Sequence, residues 1–343
     1  EFYFVPSLTQ WKDDYEQAKI DRSLAKQKAL KDDDDGGHVI ENEDETKTVD
    51  VNKDEWKRRY HLVITAQDRE GLGNLFTLIK RAYTEGFYRY PRIDFNLLKQ
   101  HGKGLNVSTA CLGGIYSNRI MRGNALKKSD AEVQAELMQL SDRFVDAVGE
   151  ENFYLELQFN RLKQQHLVNH HLLRHANDTG IKLIATPDSH YYNPDKWEAR
   201  ELYKKLGWMG SEPSPLPEFE DLKCELYPKN AQQMWDEFTR HYDEYKETYE
   251  GFEEDVKDSI ERTHDIAWEK CSDCWIDTSV KLPDFDNADQ TAFQQLAQKV
   301  KEGLVREGLH KQEAYVERAK TELSDVKFLG FENYFLVQNE VFH

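Results

Sequence analysis

Apolar residues fall along the chain in short blocks with two different periods. His61-Leu62-Val63-Ile64-Thr65-Ala66, Leu105 to Ala110, Phe153-Tyr154-Leu155-Glu156-Leu157-Gln158 and Leu183 to Ala185 are brief runs rich in β-branched and aromatic residues, and they read as strands. Between them lie segments of helical period. In 71–85, Leu72, Leu75, Phe76, Ile79 and Tyr83 share one helical face and Gly86 follows as a stop. Residues 130–147 and 163–178 read as further helices, the second ending at Gly180. Strand and helix in alternation predict a parallel sheet or barrel. Glu1 to Pro6 is a strand-like run without a beginning, which points to a fragment or to one part of a split protein.

Two stretches break the alternation. Residues 8–57 are highly charged and hold the blocks Asp32-Asp33-Asp34-Asp35 and Glu43-Asp44-Glu45. Like charges with few apolar neighbours do not offset the entropy of ordering, so 8–57 reads as an acidic insertion, with roughly 30–50 a mobile loop. After His190 the pattern changes. Ser211 to Pro217 is a connector, 228–270 is mostly helical, Lys281-Leu282-Pro283-Asp284-Phe285 interrupts, and helices resume from about 288 to 326. Phe328 to Leu336 opens a new apolar element.

Composition narrows the function. The 343 residues suffice for two domains or one large one, and 38% of them are hydrophobic, enough for a packed core. A mean hydropathy of -0.83 leaves much of the chain wet. The formal net charge of -18 argues against a broad, sequence-independent grip on DNA, though not against a metal site acting on a nucleic-acid end. Four cysteines give no disulfide framework and fit a reducing compartment. No run approaches the length of a membrane span, and no secretory signal opens the chain.

Candidate chemistry gathers at strand ends. Pro187 takes the chain out of the last strand, so Asp188 and His190 sit on the loop beyond its C-terminal end, where catalytic residues collect in α/β barrels. A carboxylate and an imidazole suit Zn²⁺, Mn²⁺ or Fe²⁺ better than Ca²⁺ or Mg²⁺. Glu1 and Cys111 also stand near strand ends, and Gly113-Gly114 lets the backbone turn sharply beside the thiol. His61 opens its strand instead. On spacing alone, a surface acid and histidine and a small buried thiol are the plainer readings. Cys271-Ser272-Asp273-Cys274 has no second cysteine pair for a structural zinc site, with His264 and Cys224 the only nearby donors. His166, His170 and His171 lie on one helix and read as solvent-facing. Trp208, Trp235, Trp268 and Trp275 read as core or interface anchors.

A family resemblance changes that weighting. His61 to Ala66, Gly71 to Leu75, Arg81-Ala82-Tyr83-Thr84-Glu85-Gly86-Phe87-Tyr88 and Pro91-Arg92-Ile93-Asp94 resemble the PHP domain of the bacterial and phage C-family replicative DNA polymerases, the DNA polymerase III alpha subunits. Cys111-Leu112-Gly113-Gly114, Phe153 to Gln158 and Thr186-Pro187-Asp188-Ser189-His190-Tyr191 follow in the family's order. Ile266-Ala267, Leu282-Pro283, Gly330-Phe331 and Tyr334-Phe335-Leu336 extend the likeness into what resembles the start of a palm domain.

The resemblance implies an α/β fold, a distorted seven-stranded (β/α) barrel incomplete at its N-terminus. A mainly helical segment would then lead into the palm. It implies a PHP domain over 1–280 and the beginning of a palm over 281–343. Glu1, His61, Cys111, Asp188 and His190 match five ligand positions of a trinuclear Zn²⁺ or Mn²⁺ site. The family's remaining ligands lie upstream, and the polymerase aspartates, which use Mg²⁺, lie downstream. This stretch alone is therefore not expected to polymerise DNA. Implied partners are the other polymerase segments, primer–template DNA and, in some members, a separate proofreading exonuclease, all in the bacterial cytoplasm with no membrane. Implied activity is 3′-end nuclease action where the site is complete. The alternatives are an independent PHP phosphoesterase acting on a small phosphate ester and a non-catalytic replisome scaffold.

Overall fold

The computed structural model of the chain describes residues 1–29, 57–207, 225–276, 278–279, 281 and 283–342. They form two compact units, Glu1–Cys274 and Trp275–His343. The strands of the first unit are β1 (Phe2–Phe4), β2 (Tyr60–Ala66), β3 (Arg92–Ile93), β4 (Leu105–Ser108), β5 (Phe153–Leu157) and β6 (Leu183–Ala185). Their order across one sheet is β3-β1-β2-β4-β5-β6. Pairs β1·β3, β4·β5 and β5·β6 are parallel, whereas β2 runs antiparallel to both β1 and β4. The fold is thus mixed α/β, as expected, but not purely parallel. The direction of β2 is a matter of pairing between strands, which no local period encodes. Among the described residues the sheet is open, with β3 and β6 each paired on one side only.

Alternation along each strand separates two faces. Phe2, Phe4, Tyr60, Leu62, Ile64, Leu105, Val107, Phe153, Leu155, Leu157, Leu183 and Ala185 fall on one face by register. That face carries the apolar core, completed by Leu78, Leu98, Leu137, Phe144 and Leu172 from the helices. The opposite face presents Tyr3, His61, Val63, Thr65, Asn106, Ser108, Tyr154, Glu156 and Ile184. A mostly polar sheet face is the floor on which a site can be built.

The helices of this unit are α1 (Leu8–Ala29), α2 (Arg69–Glu85), α3 (Phe95–His101), α4 (Ile115–Ala125), α5 (Asp130–Val148), α6 (Lys163–Thr179), α7 (Trp197–Gly207), α8 (Ala231–Tyr242), α9 (Lys246–Tyr249) and α10 (Glu253–Asp265). Three findings correct the sequence reading. Leu8–Ala29, expected within a charged insertion, is helical. Its first turn is pinned: Asp94 Oδ2 accepts the Leu8 amide at 2.9 Å, and Leu8 and Trp11 are buried. The acidic blocks of 30–50 lie outside the described residues.

Helix α2 buries Gly71, Leu78 and Ala82, while Phe76, Ile79 and Tyr83 of the expected apolar face stay exposed. The rotation follows from a close approach: a Cβ on Gly71 would stand 1.9 Å from the Gly104 carbonyl oxygen. Period alone offers two overlapping stripes and does not choose between them.

His166 and His171 are buried, not solvent-facing, as is His175. Helix α6 packs on α4 and α5 and on α9. His166 Nδ1 shares a 2.6 Å hydrogen bond with Tyr249 Oη, and its ring stacks on Tyr245 at 3.8 Å. Ser141 Oγ lies 2.7 Å from His175 Nε2 and 2.8 Å from Tyr116 Oη. Burial pushes the His166 imidazole down to about 4, and the neighbouring His241 acts the same way. The fold therefore holds this ring neutral, while the unfolded chain takes up a proton below about pH 6.5. Its contribution is fully present above that pH and is lost as pH falls toward 4, by about 3 kcal/mol in all. Accordingly, the drop in urea midpoint between pH 7 and pH 4.5 should be smaller in His166→Gln than in the parent chain. Equal drops would exclude His166 as a source.

Of the tryptophans, Trp235 packs against the core, Trp268 and Trp275 are exposed rather than core residues, and Trp208 lies outside the described residues. Cys271 and Cys274 are free thiols, and Cys224 lies outside the described residues. The second unit holds α11 (Ala292–Arg306), α12 (Glu313–Leu329) and α13 (Glu332–Phe342). Its small core joins Ala292, Leu296 and Leu336. The apolar run from Phe328 is split there, with left-handed Gly330 ending α12 before α13 begins.

Candidate metal centre

His61 stands on the polar face of β2 and is fixed from below by the turn that follows β4. Its amide donates to the Gly113 carbonyl at 2.9 Å, and a bridge pairs it with Gly114. Both glycines are required by contact. A Cβ on Gly113 would stand 2.9 Å from the His61 ring, and one on Gly114 would stand 2.1 Å from the Thr109 carbonyl. The same turn delivers Cys111, whose Sγ lies 3.6 Å from His61 Nδ1 and accepts the Gly113 amide at 3.4 Å. Glu1, two residues before Tyr3 on β1, pairs its carboxylate with His61 Nδ1.

Donor atoms of Glu1, His61 and Cys111 lie within 4.8 Å of one another, the one such group of three among the described residues. Asp188 and His190 stand outside that group, on the loop after β6, with Asp188 Oδ1 4.0 Å from His190 Nδ1. They are still near enough for charge to act. His190 helps lower the Glu1 carboxyl, after the larger effect of the His61 hydrogen bond. Burial raises the Asp188 carboxyl, with Glu1 adding to the rise and His190 and His61 opposing it. Burial also pushes the Cys111 thiol up to about 12, and the negative charges of Asp188, Glu1 and Glu156 push the same way. A half-buried thiol beside the His61 imidazole, within reach of three acidic side chains, is a donor set short of positive charge. A divalent cation fits it in charge.

Glu156 was not singled out from the sequence. It is buried on the same face, and Ser108 Oγ at 2.6 Å, Thr186 Oγ1 at 2.5 Å and Gln158 Nε2 at 3.3 Å donate to it. With Val63, Thr65, Asn106, Thr186 and Asp188 it lines a cavity of about 320 Å³. An acid inside an otherwise apolar strand, Tyr154-Leu155-Glu156-Leu157, was the available signal.

A PHP domain profile matches residues 15–160. The DNA polymerase III subunit alpha of Aquifex aeolicus is 32% identical over 308 residues, covering 85% of this chain and 24% of that protein. That of Helicobacter pylori strain 26695 is 31% identical over 218 residues, 63% of this chain and 16% of the relative. That of Borreliella burgdorferi is 30% identical over 293 residues, 82% of this chain and 22% of the relative. The chain spans a quarter or less of the length of these curated relatives.

Proposed function

This chain carries a PHP domain homologous to the DNA polymerase III alpha subunits, and from that premise we propose that it is the PHP portion of a DNA-directed DNA polymerase bearing a metal-dependent 3′-end nuclease site. The observation that carries the nuclease reading is the convergence of Glu1, His61 and Cys111 within 4.8 Å on the polar sheet face. Glu1, His61, Cys111, Asp188 and His190 are the residues that would hold Zn²⁺ or Mn²⁺. A divalent cation held there supplies Lewis acidity toward a phosphodiester and a nucleophilic water near neutral pH.

The remaining work falls to the chain. His61 is held in place by the Gly113 carbonyl and keeps its ring between an acid and a thiol. Cys111, its thiol raised to about 12, keeps its proton at neutral pH and would lose it from Sγ to ligate a cation as thiolate. Thr186, anchored to Glu156, fixes the chain two residues before Asp188. Asp188 itself has φ of 48°, a left-handed backbone that costs a non-glycine residue energy and is retained where surroundings enforce it.

Residues 281–343 are assigned to the start of the palm. The polymerase aspartates with their Mg²⁺, the primer–template and any proofreading exonuclease belong to other segments or partners. Among the described residues no helix is long and apolar enough to cross a membrane, and bacterial replication homologues favour a cytoplasmic setting.

The test is release of nucleotides from a 5′-labelled single-stranded oligonucleotide in Mn²⁺ or Zn²⁺. A chain extended upstream to supply the remaining ligand positions should shorten the oligonucleotide from its 3′ end. Chelation should stop it, and Asp188→Asn should lower the rate by more than the roughly 10–100-fold that loss of a supporting partner costs. A chain that binds metal without cleaving would leave the scaffold role.

A further inference from the structure

Beside the metal group stands a cluster that the metal does not use. Tyr3, on the same face of β1 as Glu1, meets the His61 ring edge-on at 5.6 Å. It also meets the Tyr90 ring at 5.2 Å. The Arg59 guanidinium lies 4.2 Å from the Tyr90 ring centre and 5.2 Å from that of Tyr3. Two ring contacts thus lead from a proposed metal ligand to an exposed aromatic and an exposed cation.

The fold does not need this exposure. Arg92 already pins the turn, donating to the carbonyls of Tyr88 at 2.9 Å and Tyr90 at 2.8 Å, with its guanidinium 4.6 Å from the buried Trp11 ring. Tyr90 nevertheless keeps 39% of its surface in solvent. Backbone strain marks both the Tyr90 turn and the neighbouring metal group. Of the five described non-glycine residues with positive φ, Arg89 adjoins Tyr90, Ala110 adjoins Cys111, and Asp188 is in the site itself. Strain of this kind gathers where surroundings hold a conformation for use.

We propose that Tyr90 and Arg59, braced by Tyr3, form the subsite for the terminal nucleotide of a single-stranded DNA end. The base stacks against Tyr90, and Arg59 neutralises the adjoining phosphate. This rests on the phosphodiester reading above and adds the part that presents the substrate. The chemistry is that of single-strand binding, in which an aromatic face takes any base and a guanidinium takes both ring and phosphate. It also answers the charge problem. Glu1 and Asp188 repel a phosphate, and a chain of net charge -18 needs a local cation on the approach to them.

The test uses the full 343-residue chain and a single-stranded oligonucleotide with 5-iodouracil as its 3′-terminal base. A terminal phosphorothioate slows hydrolysis, and Mn²⁺ is present. Irradiation should crosslink the terminal base to the peptide containing Tyr90. Tyr90→Ala should weaken binding, read by fluorescence anisotropy, by roughly 5- to 100-fold, as expected for loss of one stacked base. Tyr90→Trp should restore it. Arg59→Ala should flatten the dependence of log affinity on log salt by about 0.7, the share of one phosphate on a single strand. A crosslink that maps elsewhere, or a Tyr90→Ala chain that binds like the parent at unchanged thermal midpoint, overturns the subsite. The two readings fail separately. Cleavage indifferent to Tyr90→Ala removes the subsite and keeps the nuclease. A Tyr90 crosslink on an end that is never cleaved, even with an ordinary phosphodiester, keeps the subsite and removes the nuclease.

Discussion

His61→Ala is expected to empty the candidate metal centre. His61 is the member of the group that touches both others: its Nδ1 pairs with Glu1 and lies 3.6 Å from Cys111 Sγ. Removing the ring leaves an acid and a thiol with nothing between them. A lost supporting contact costs roughly 10–100-fold in metal affinity, so a lost ligand should cost more than the upper end of that range. After incubation with Zn²⁺ or Mn²⁺ and desalting, elemental mass spectrometry should find metal on the parent chain and none on the variant. The side chain is partly exposed, and the backbone hydrogen bond from the His61 N–H to the Gly113 carbonyl does not involve the ring, so the urea midpoint without metal should hardly move. Metal retained by His61→Ala would remove the site. A parent chain that holds no metal would leave the scaffold role alone.

What the sequence disclosed and what it hid divide along physical lines. The central strands were legible because β-branched and aromatic runs are short and bounded, and Pro187 marks where β6 must stop. The turn beside Cys111 was legible because two adjacent glycines signal a close approach, and both turn out to border a neighbour too near for a Cβ. Direction and rotation were not legible. The antiparallel course of β2 appears only in its pairing with β1 and β4, and the buried stripe of α2 is set by the approach of Gly71 to Gly104. Polar groups inside the core were hidden as well. Histidine at 166, 171 and 175 looks like surface to any hydropathy pattern, yet α6 is covered on more than one side; a hydroxyl partners His166 Nδ1, and a hydroxyl and an amide partner the two ring nitrogens of His175. In the site, the five ligand positions rested on resemblance. Glu156 and the Arg59–Tyr90 pair needed the register of the sheet, because their meaning lies in sharing a face with His61 across several strands.

Phe144→Ala should produce the largest loss of stability in the first unit. Phe144 projects from α5 with no exposed surface and is ringed by aromatics from four other elements. It stacks on Phe153 at 4.7 Å and 6°, and meets Phe95 at 4.6 Å, Phe4 at 5.4 Å and Tyr116 at 6.2 Å. Truncating a buried phenylalanine costs about 3–5 kcal/mol, and four rigid rings around the gap leave little room for collapse, which argues for the upper half of that range. With a urea dependence of roughly 1–3 kcal/mol/M, the midpoint should fall by more than about 1 M. Phe144→Leu, which keeps most of the apolar volume, should lose much less. The result bears on the site because Phe4 belongs to β1, the strand that brings Glu1 beside His61. Metal binding and core packing are therefore linked but separable. Saturating metal should raise the midpoint of the parent chain and of Phe144→Ala alike, since a ligand that binds only the folded state stabilises both by the same logarithmic law. It should do nothing for His61→Ala, whose core is intact and whose site is gone. If metal shifted all three variants equally, the ion would be binding somewhere other than Glu1, His61 and Cys111.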